Sequence, residues 1–158
     1  KRACEQPSTC LVWDQASCTC RQEIPRCLAL DTQIDTPDGP TAVEDLHVGD
    51  AVWTVDATGA RVQGTILKTS RKLVPAGHQM VHIVLSDGRE LWASPGHPTA
   101  DGRKLGDLAA GDLLDGARVT GYELVPYGQP ATFDILPSGS TGYYWANGIL
   151  TGSTLSNP

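Results

Sequence analysis

At 158 residues the chain has room for one ordinary domain and a small appendage, and its 40% hydrophobic content is enough for a real core. Seventeen glycines and eleven prolines interrupt it too often for long helices and point toward strands and turns. A net charge of −6 without a block of like charges argues against nucleic acid or an anionic membrane as partner. No run of roughly 18 apolar residues is present to span a bilayer, and no signal-peptide pattern stands at Lys1, which leaves room for a piece excised from a secreted precursor.

Residues 1–26 hold four of the five cysteines. Cys4, Cys10, Cys18 and Cys20 are dense enough for a small disulfide-stapled module, which sets the expected location as secreted or extracytoplasmic. Bridging Cys18 to Cys20 across one residue is geometrically poor. The remaining sets are Cys4–Cys18 with Cys10–Cys20, or Cys4–Cys20 with Cys10–Cys18, and either leaves Cys27 unpaired. The competing pattern places Cys27 in a bridge and frees one of the others. No histidine falls in this segment and its Cys-x-Cys spacing does not match the usual zinc sites, so neither metal nor cofactor is expected. With few apolar side chains, residues 1–26 must rely on disulfides or on a neighbour. The expected organisation is a Cys-rich segment 1–26, a main domain 27–155 and a tail 156–158.

From Cys27 onward the chain reads as short alternating segments separated by turn signals. Thr32–Thr36 stops at Pro37-Asp38-Gly39, and Ala51–Val55 ends at Asp56-Ala57-Thr58-Gly59. Arg61–Leu73 is a longer strand, and Gln79–Leu85 turns at Ser86-Asp87-Gly88 into Arg89–Ala93, the best hairpin in the chain. Later turns fall at Asp101-Gly102, Asp115-Gly116, Pro137-Ser138-Gly139 and Asn147-Gly148. This pattern predicts an all-β fold with few or no long helices.

One internal echo says more. Val43-Glu44-Asp45-Leu46-His47-Val48-Gly49-Asp50-Ala51-Val52 and Leu105-Gly106-Asp107-Leu108-Ala109-Ala110-Gly111-Asp112-Leu113-Leu114 share the form apolar-x-Asp-Leu-x-x-Gly-Asp-x-apolar. It predicts a duplicated β-subdomain with pseudo-two-fold symmetry. In each copy Asp-Leu would form a short helical turn and Gly-Asp a tight turn into the next strand.

Four features could carry chemistry: Cys27, Ser94-Pro95-Gly96-His97, Asp134 in Thr132-Phe133-Asp134-Ile135-Leu136, and Ala146-Asn147-Gly148-Ile149-Leu150. The run from Cys27 to Gly39, followed by Val43–Asp50, resembles the opening block of the Hint family, the module shared by Hedgehog autoprocessing domains and inteins. Ser94-Pro95-Gly96-His97 is similar to that family's Thr-x-x-His block, and 132–136 and 143–150 resemble its closing block. The resemblance is nearest to a non-splicing, bacterial intein-like Hint domain and implies a compact β horseshoe.

It also implies a single-turnover, cysteine-dependent acyl transfer whose substrate is the chain's own upstream peptide. Cys27 Sγ would attack the Arg26 carbonyl through a five-membered ring, an intramolecular N-to-S shift helped by tethering. His97 would protonate the leaving nitrogen, and Ser94 would hydrogen-bond the Arg26–Cys27 peptide. Asp134 matches the closing-block acid that handles protons at the thiol. Water or an unknown nucleophile would then accept the acyl group. The residue types suit this, since a thiolate is a strong nucleophile even when little of it is ionised.

The departures from the family narrow the reaction. Thr151-Gly152-Ser153 stands where an intein carries its His-Asn pair and downstream nucleophile, so splicing is not expected. Ser70 stands where the sterol-transferring branch has an Asp, so sterol is not expected as acceptor. Two rivals remain: a catalytically silent Hint-like β-domain with a Cys-rich binding module, and a redox-locked precursor with Cys27 in a disulfide. His47, His78 and His82 read as scaffold or surface residues, and Trp13, Trp53, Trp92 and Trp145 as core or domain-contact aromatics.

Overall fold

The computed structural model describes residues 27–155 and, as backbone only, 13–14 and 19–20. Arg26, Cys4, Cys10 and Cys18 lie outside the described residues, so the bridges expected among Cys4, Cys10, Cys18 and Cys20 and the scissile peptide lie there too. The strands run in chain order as β1 (Trp13–Asp14), β2 (Thr19–Cys20), β3 (Gln33–Thr36), β4 (Gly39–Ala42), β5 (Ala51–Val55), β6 (Arg61–Leu73) and β7 (Gln79–Leu85). They continue as β8 (Glu90–Ala93), β9 (Leu113–Leu114), β10 (Ala117–Pro126), β11 (Ala131–Pro137), β12 (Tyr144–Ala146) and β13 (Ile149–Thr151). Among the described residues the only helical pieces are two 3-10 turns, at Val43–Asp45 and Leu105–Asp107. The molecule is all-β with curled sheets, as its turn spacing implied.

Besides the β1–β2 ribbon, three sheets form, in strand orders β8-β7-β10-β9, β11-β6-β5 and β13-β12-β3-β4. β11 is buried along its whole length, which is why Ala131–Pro137 reads as an apolar run interrupted only by Thr132 and Asp134. β7 and β8 make the expected hairpin, in register Val81 to Ala93 and Ile83 to Leu91. Gly88 supplies the left-handed residue of its turn, at φ 92°. Asn147 and Gly148 both have positive φ, 49° and 79°, the pairing that a two-residue β12–β13 turn requires.

The sequence echo is a structural duplication. Gly49 and Gly111 adopt φ of 96° and 95°, values that a side chain would resist. Asp50 accepts from the His47 N–H at 2.8 Å, and Asp112 from the Ala109 N–H at 2.9 Å. The Gly49 N–H donates to the Ile66 carbonyl at 2.9 Å, and the Gly111 N–H to the Val119 carbonyl at 2.8 Å. Each turn buries two apolar residues, Val43 and Leu46 in the first copy, Leu105 and Leu108 in the second. Beyond the turns, β5 pairs with β6 and β6 with β11 in one half, as β9 pairs with β10 and β10 with β7 in the other.

Leu28 joins the halves. Its backbone bridges Ala93 at the end of β8 and Phe133 in β11. The Leu28 N–H donates to the Phe133 carbonyl at 2.7 Å, and the Phe133 N–H returns to Leu28 at 2.9 Å. The Leu28 side chain is fully buried in the shared core with Ile34, Ile66, Ile83, Ile135 and Tyr144. Trp53, Trp92 and Trp145 stay out of that core. Trp53 and Trp145 hold the Arg61 guanidinium between their rings, at 4.9 and 4.5 Å from the centroids, while Trp92 stacks on His82 at 4.1 Å.

Candidate active site

Cys27 immediately precedes the Leu28 joint. Its carbonyl accepts the Ser94 N–H at 2.8 Å, and its side chain is buried. It is a free thiol. Burial pushes the Cys27 thiol above its ordinary pKa, and the negative Asp134 pushes it further. The Thr132 and Thr154 hydroxyls and the charge of Lys72 pull in the opposite direction. The β11–β6 register explains the neighbours: Thr132 lies opposite Lys72 and Asp134 opposite Ser70, so both pairs share the strand face that meets Cys27.

Asp134 is 1% exposed and its two oxygens accept four donors. Oδ1 takes the Ile135 N–H at 2.8 Å and the Tyr144 hydroxyl at 2.5 Å. Oδ2 takes the Thr154 N–H at 2.8 Å and the Thr154 hydroxyl. A carboxylate withdrawn from water needs such a set of donors. Tyr144 is fully buried, and burial raises its hydroxyl pKa well above the ordinary value, with Asp134 adding to the effect. It therefore stays protonated and serves as a donor.

His97 reaches the same core from the other side. Its ring is fully buried, with Nε2 2.8 Å from the Thr151 hydroxyl and the ring edge-on to Tyr144 at a centroid distance of 6.5 Å. Its backbone is tied at both ends, the His97 N–H to the Ser94 carbonyl at 3.0 Å and the His97 carbonyl to the Leu105 N–H at 3.0 Å. Tyr144 thus touches both Asp134 and His97.

Ser94 is fully buried, and its hydroxyl meets His78 Nε2 at 3.1 Å and Met80 Sδ at 3.7 Å. Cys27, His97 and Asp134 therefore gather around Tyr144 where the two half-sheets join, whereas Ser94 is tied to Cys27 and His97 through its backbone and turns its hydroxyl to His78 and Met80. The sequence had left Tyr144, Thr151, Thr154 and His78 out of the site. His78 is buried rather than at the surface, and burial lowers its pKa. His82 is half-buried and His47 exposed, paired with Glu90 and Asp50 respectively. Among the described residues no cluster of three or more His, Cys, Asp or Glu is placed to hold a metal.

Asn147 is committed to structure. Its side chain accepts the Gln33 N–H at 2.8 Å and donates to the Glu90 carbonyl at 3.0 Å, fixing the β12–β13 turn against β3. Ser153 donates to the Ile135 carbonyl at 2.6 Å.

The family model of the Hint domain matches residues 26–112, more than half of the chain. The chain belongs to the Hint domain family. The matched span contains Cys27, Ser94 and His97, and Asp134 lies beyond it. Three solved structures extend the likeness into the closing strands. The bacterial intein-like domain from Clostridium thermocellum superposes with a TM-score of 0.69 at 22% identity, covering 80% of this chain and 98% of that one. The gp41-1 intein gives 0.63 at 28% identity, covering 80% and 97%. A DnaB intein from Synechocystis sp. PCC 6803 gives 0.70 at 14% identity, covering 82% and 99%. No curated protein matches the chain. The Hint fold and these likenesses support an autoprocessing domain in general terms.

Proposed function

We propose that this Hint domain cleaves its own chain between Arg26 and Cys27, once per molecule and with Cys27 as nucleophile. The Cys27 thiol gives up its proton and Sγ attacks the Arg26 carbonyl carbon. The carbon–nitrogen bond breaks as His97 donates a proton to the departing Cys27 nitrogen, leaving Arg26 joined to Sγ as a thioester. Water or another nucleophile then displaces the sulfur, releasing residues 1–26, and the thiolate regains a proton. Asp134 handles the proton at the thiol, and the Ser94 hydroxyl hydrogen-bonds the scissile peptide.

The observation that carries this reading is the convergence of Cys27, Asp134 and His97 on one water-poor core, with Tyr144 touching the last two. Exclusion of water strengthens each electrostatic contact there. The reading stops at this one end of the domain. Thr151-Gly152-Ser153 offers no asparagine to cyclise, and Asn147 is locked in a turn, so no splicing follows. The Cys-rich residues 1–26 set the reaction in a secreted or extracytoplasmic compartment, with no sterol acceptor.

The test is to incubate the purified chain under reducing conditions with and without hydroxylamine and to weigh the fragments. The expected break lies between Arg26 and Cys27 and is lost in Cys27→Ala. Because the thiol is held above its ordinary pKa, the thiolate fraction grows as pH rises toward that raised value, and cleavage should still be accelerating above about pH 8.5, the pKa of an unperturbed cysteine. An intact mass in hydroxylamine at every pH would overturn the proposal.

A further inference from the structure

His78 is the one buried histidine that this chemistry leaves without a part. Its backbone is anchored on both sides. The His78 N–H donates to the Pro75 carbonyl at 3.1 Å, and its carbonyl accepts the Tyr127 N–H at 2.9 Å. The ring stands edge-on to Tyr127, 6.0 Å between centroids at 83°, which directs Nε2 to the Ser94 hydroxyl 3.1 Å away. Ser94 is in turn bound to both reacting segments through its backbone, N–H to Cys27 and carbonyl to His97. The residue that joins nucleophile and acid therefore has its side chain steered by His78.

A serine hydroxyl has one proton, and the Ser94 oxygen lies 3.1 Å from His78 Nε2 and 3.7 Å from Met80 Sδ. When the ring is neutral and protonated at Nε2, it donates to the hydroxyl oxygen and leaves the hydroxyl proton for another acceptor. A thioether is a weak acceptor, so the Ser94 proton passes to a better one, such as a peptide carbonyl, at little cost. The ring N–H meanwhile pins the oxygen and polarises the hydroxyl as a donor.

We infer that His78 is a positioning residue of the self-cleavage site: its Nε2–H fixes the Ser94 hydroxyl so that the hydroxyl proton is available to the scissile carbonyl. This rests on the Arg26–Cys27 cleavage proposed above. His78 touches no reacting atom and works only through Ser94.

Two substitutions separate this role from simple packing. His78→Leu fills the space without a donor, and His78→Gln keeps an N–H near the place of Nε2. With hydroxylamine-induced cleavage as readout and a thermal melt to verify folding, His78→Leu should slow the reaction about tenfold or more, as loss of an outer hydrogen-bond partner does elsewhere. His78→Gln should stay within about threefold of the parent, since it retains the hydrogen bond. In a Ser94→Ala background His78→Leu should cost nothing further. The ¹⁵N chemical shifts of the His78 ring should report the neutral form protonated at Nε2. The inference is overturned by parent-like cleavage in His78→Leu, by an undiminished effect in the Ser94→Ala background, or by a ring protonated at Nδ1. If His78→Leu does not fold, His78→Gln and the ring shifts decide. A parent chain that never cleaves overturns the functional proposal itself, whatever the tautomer.

Discussion

The two copies of the Gly-Asp turn share a backbone design and differ in what they grip. In the first, the Val43 N–H holds the Thr32 carbonyl at 2.8 Å, and Glu44 extends a carboxylate that accepts the Asp31 N–H at 2.8 Å. That copy steadies the segment leaving Cys27, where Asp31 adopts a left-handed φ of 68°. In the second, the Leu105 N–H holds the His97 carbonyl and the Gly106 N–H holds the Pro95 carbonyl at 2.8 Å. That copy steadies the loop that carries His97. Position 44 reaches its target with a side chain, whereas position 106, its counterpart, lies backbone to backbone against the 94–97 loop. A duplicated scaffold has thus been fitted to two jobs by changing one residue from a long acid to a glycine.

The largest difference between the copies should appear at Gly106. A Cβ there would sit 2.8 Å from both the Pro95 Cβ and the Pro95 carbonyl oxygen, so the loop carrying His97 must move. Gly106→Ala should cost about 1–3 kcal/mol in urea unfolding, in the range of overpacked cores, and should slow hydroxylamine cleavage as well. Parent-like stability would show that the loop is slack. The paired substitutions Asp50→Ala and Asp112→Ala test the symmetry itself. Each removes one acceptor from a turn N–H, so each should cost about 1 kcal/mol, and the two values should agree within about 0.5 kcal/mol. A wide gap would mean that the copies are alike in shape and unlike in energy. Glu44→Ala should be the mildest change, within about 0.5 kcal/mol because its contact is exposed, with cleavage falling more than stability.

The scaffold was readable because its determinants are local. Arg61–Leu73, Gln79–Leu85 and Ala51–Val55 have the limits that their alternation and bounding turns implied. The echo gave the pseudo-symmetry because each Gly-Asp pair encodes its own turn. Cys27, His97 and Asp134 stand out by their motifs and lie together around Tyr144, and Ser94 is tied to Cys27 and His97 through its backbone. Their partners could not be named in this way. Tyr144 lies ten residues beyond Asp134, and Thr154 twenty, and only the curl of the closing strands brings their hydroxyls to the carboxylate. The one signal available was indirect, since a buried aspartate demands donors and the closing block is rich in hydroxyls. His78 was masked by its place at the start of a strand, where period-2 reading does not say which side a border residue takes. The partner of Trp53 and Trp145 was hidden for a related reason. Arg61 drew Trp53 and Trp145 to its guanidinium, a contact that no hydropathy pattern encodes.

Leu28 carries a consequence for how the domain comes apart. A single residue closes hydrogen bonds to Phe133 in both directions and bridges to Ala93, so at Leu28 the half-sheets are stitched together by backbone. A hinge needs a few residues free to absorb a change in φ and ψ, and this joint leaves none. The halves should therefore open together, and the Leu28 and Phe133 amides should exchange with solvent only as fast as the whole domain unfolds. Placing Cys27 one residue before that joint ties its geometry to the stability of the entire fold.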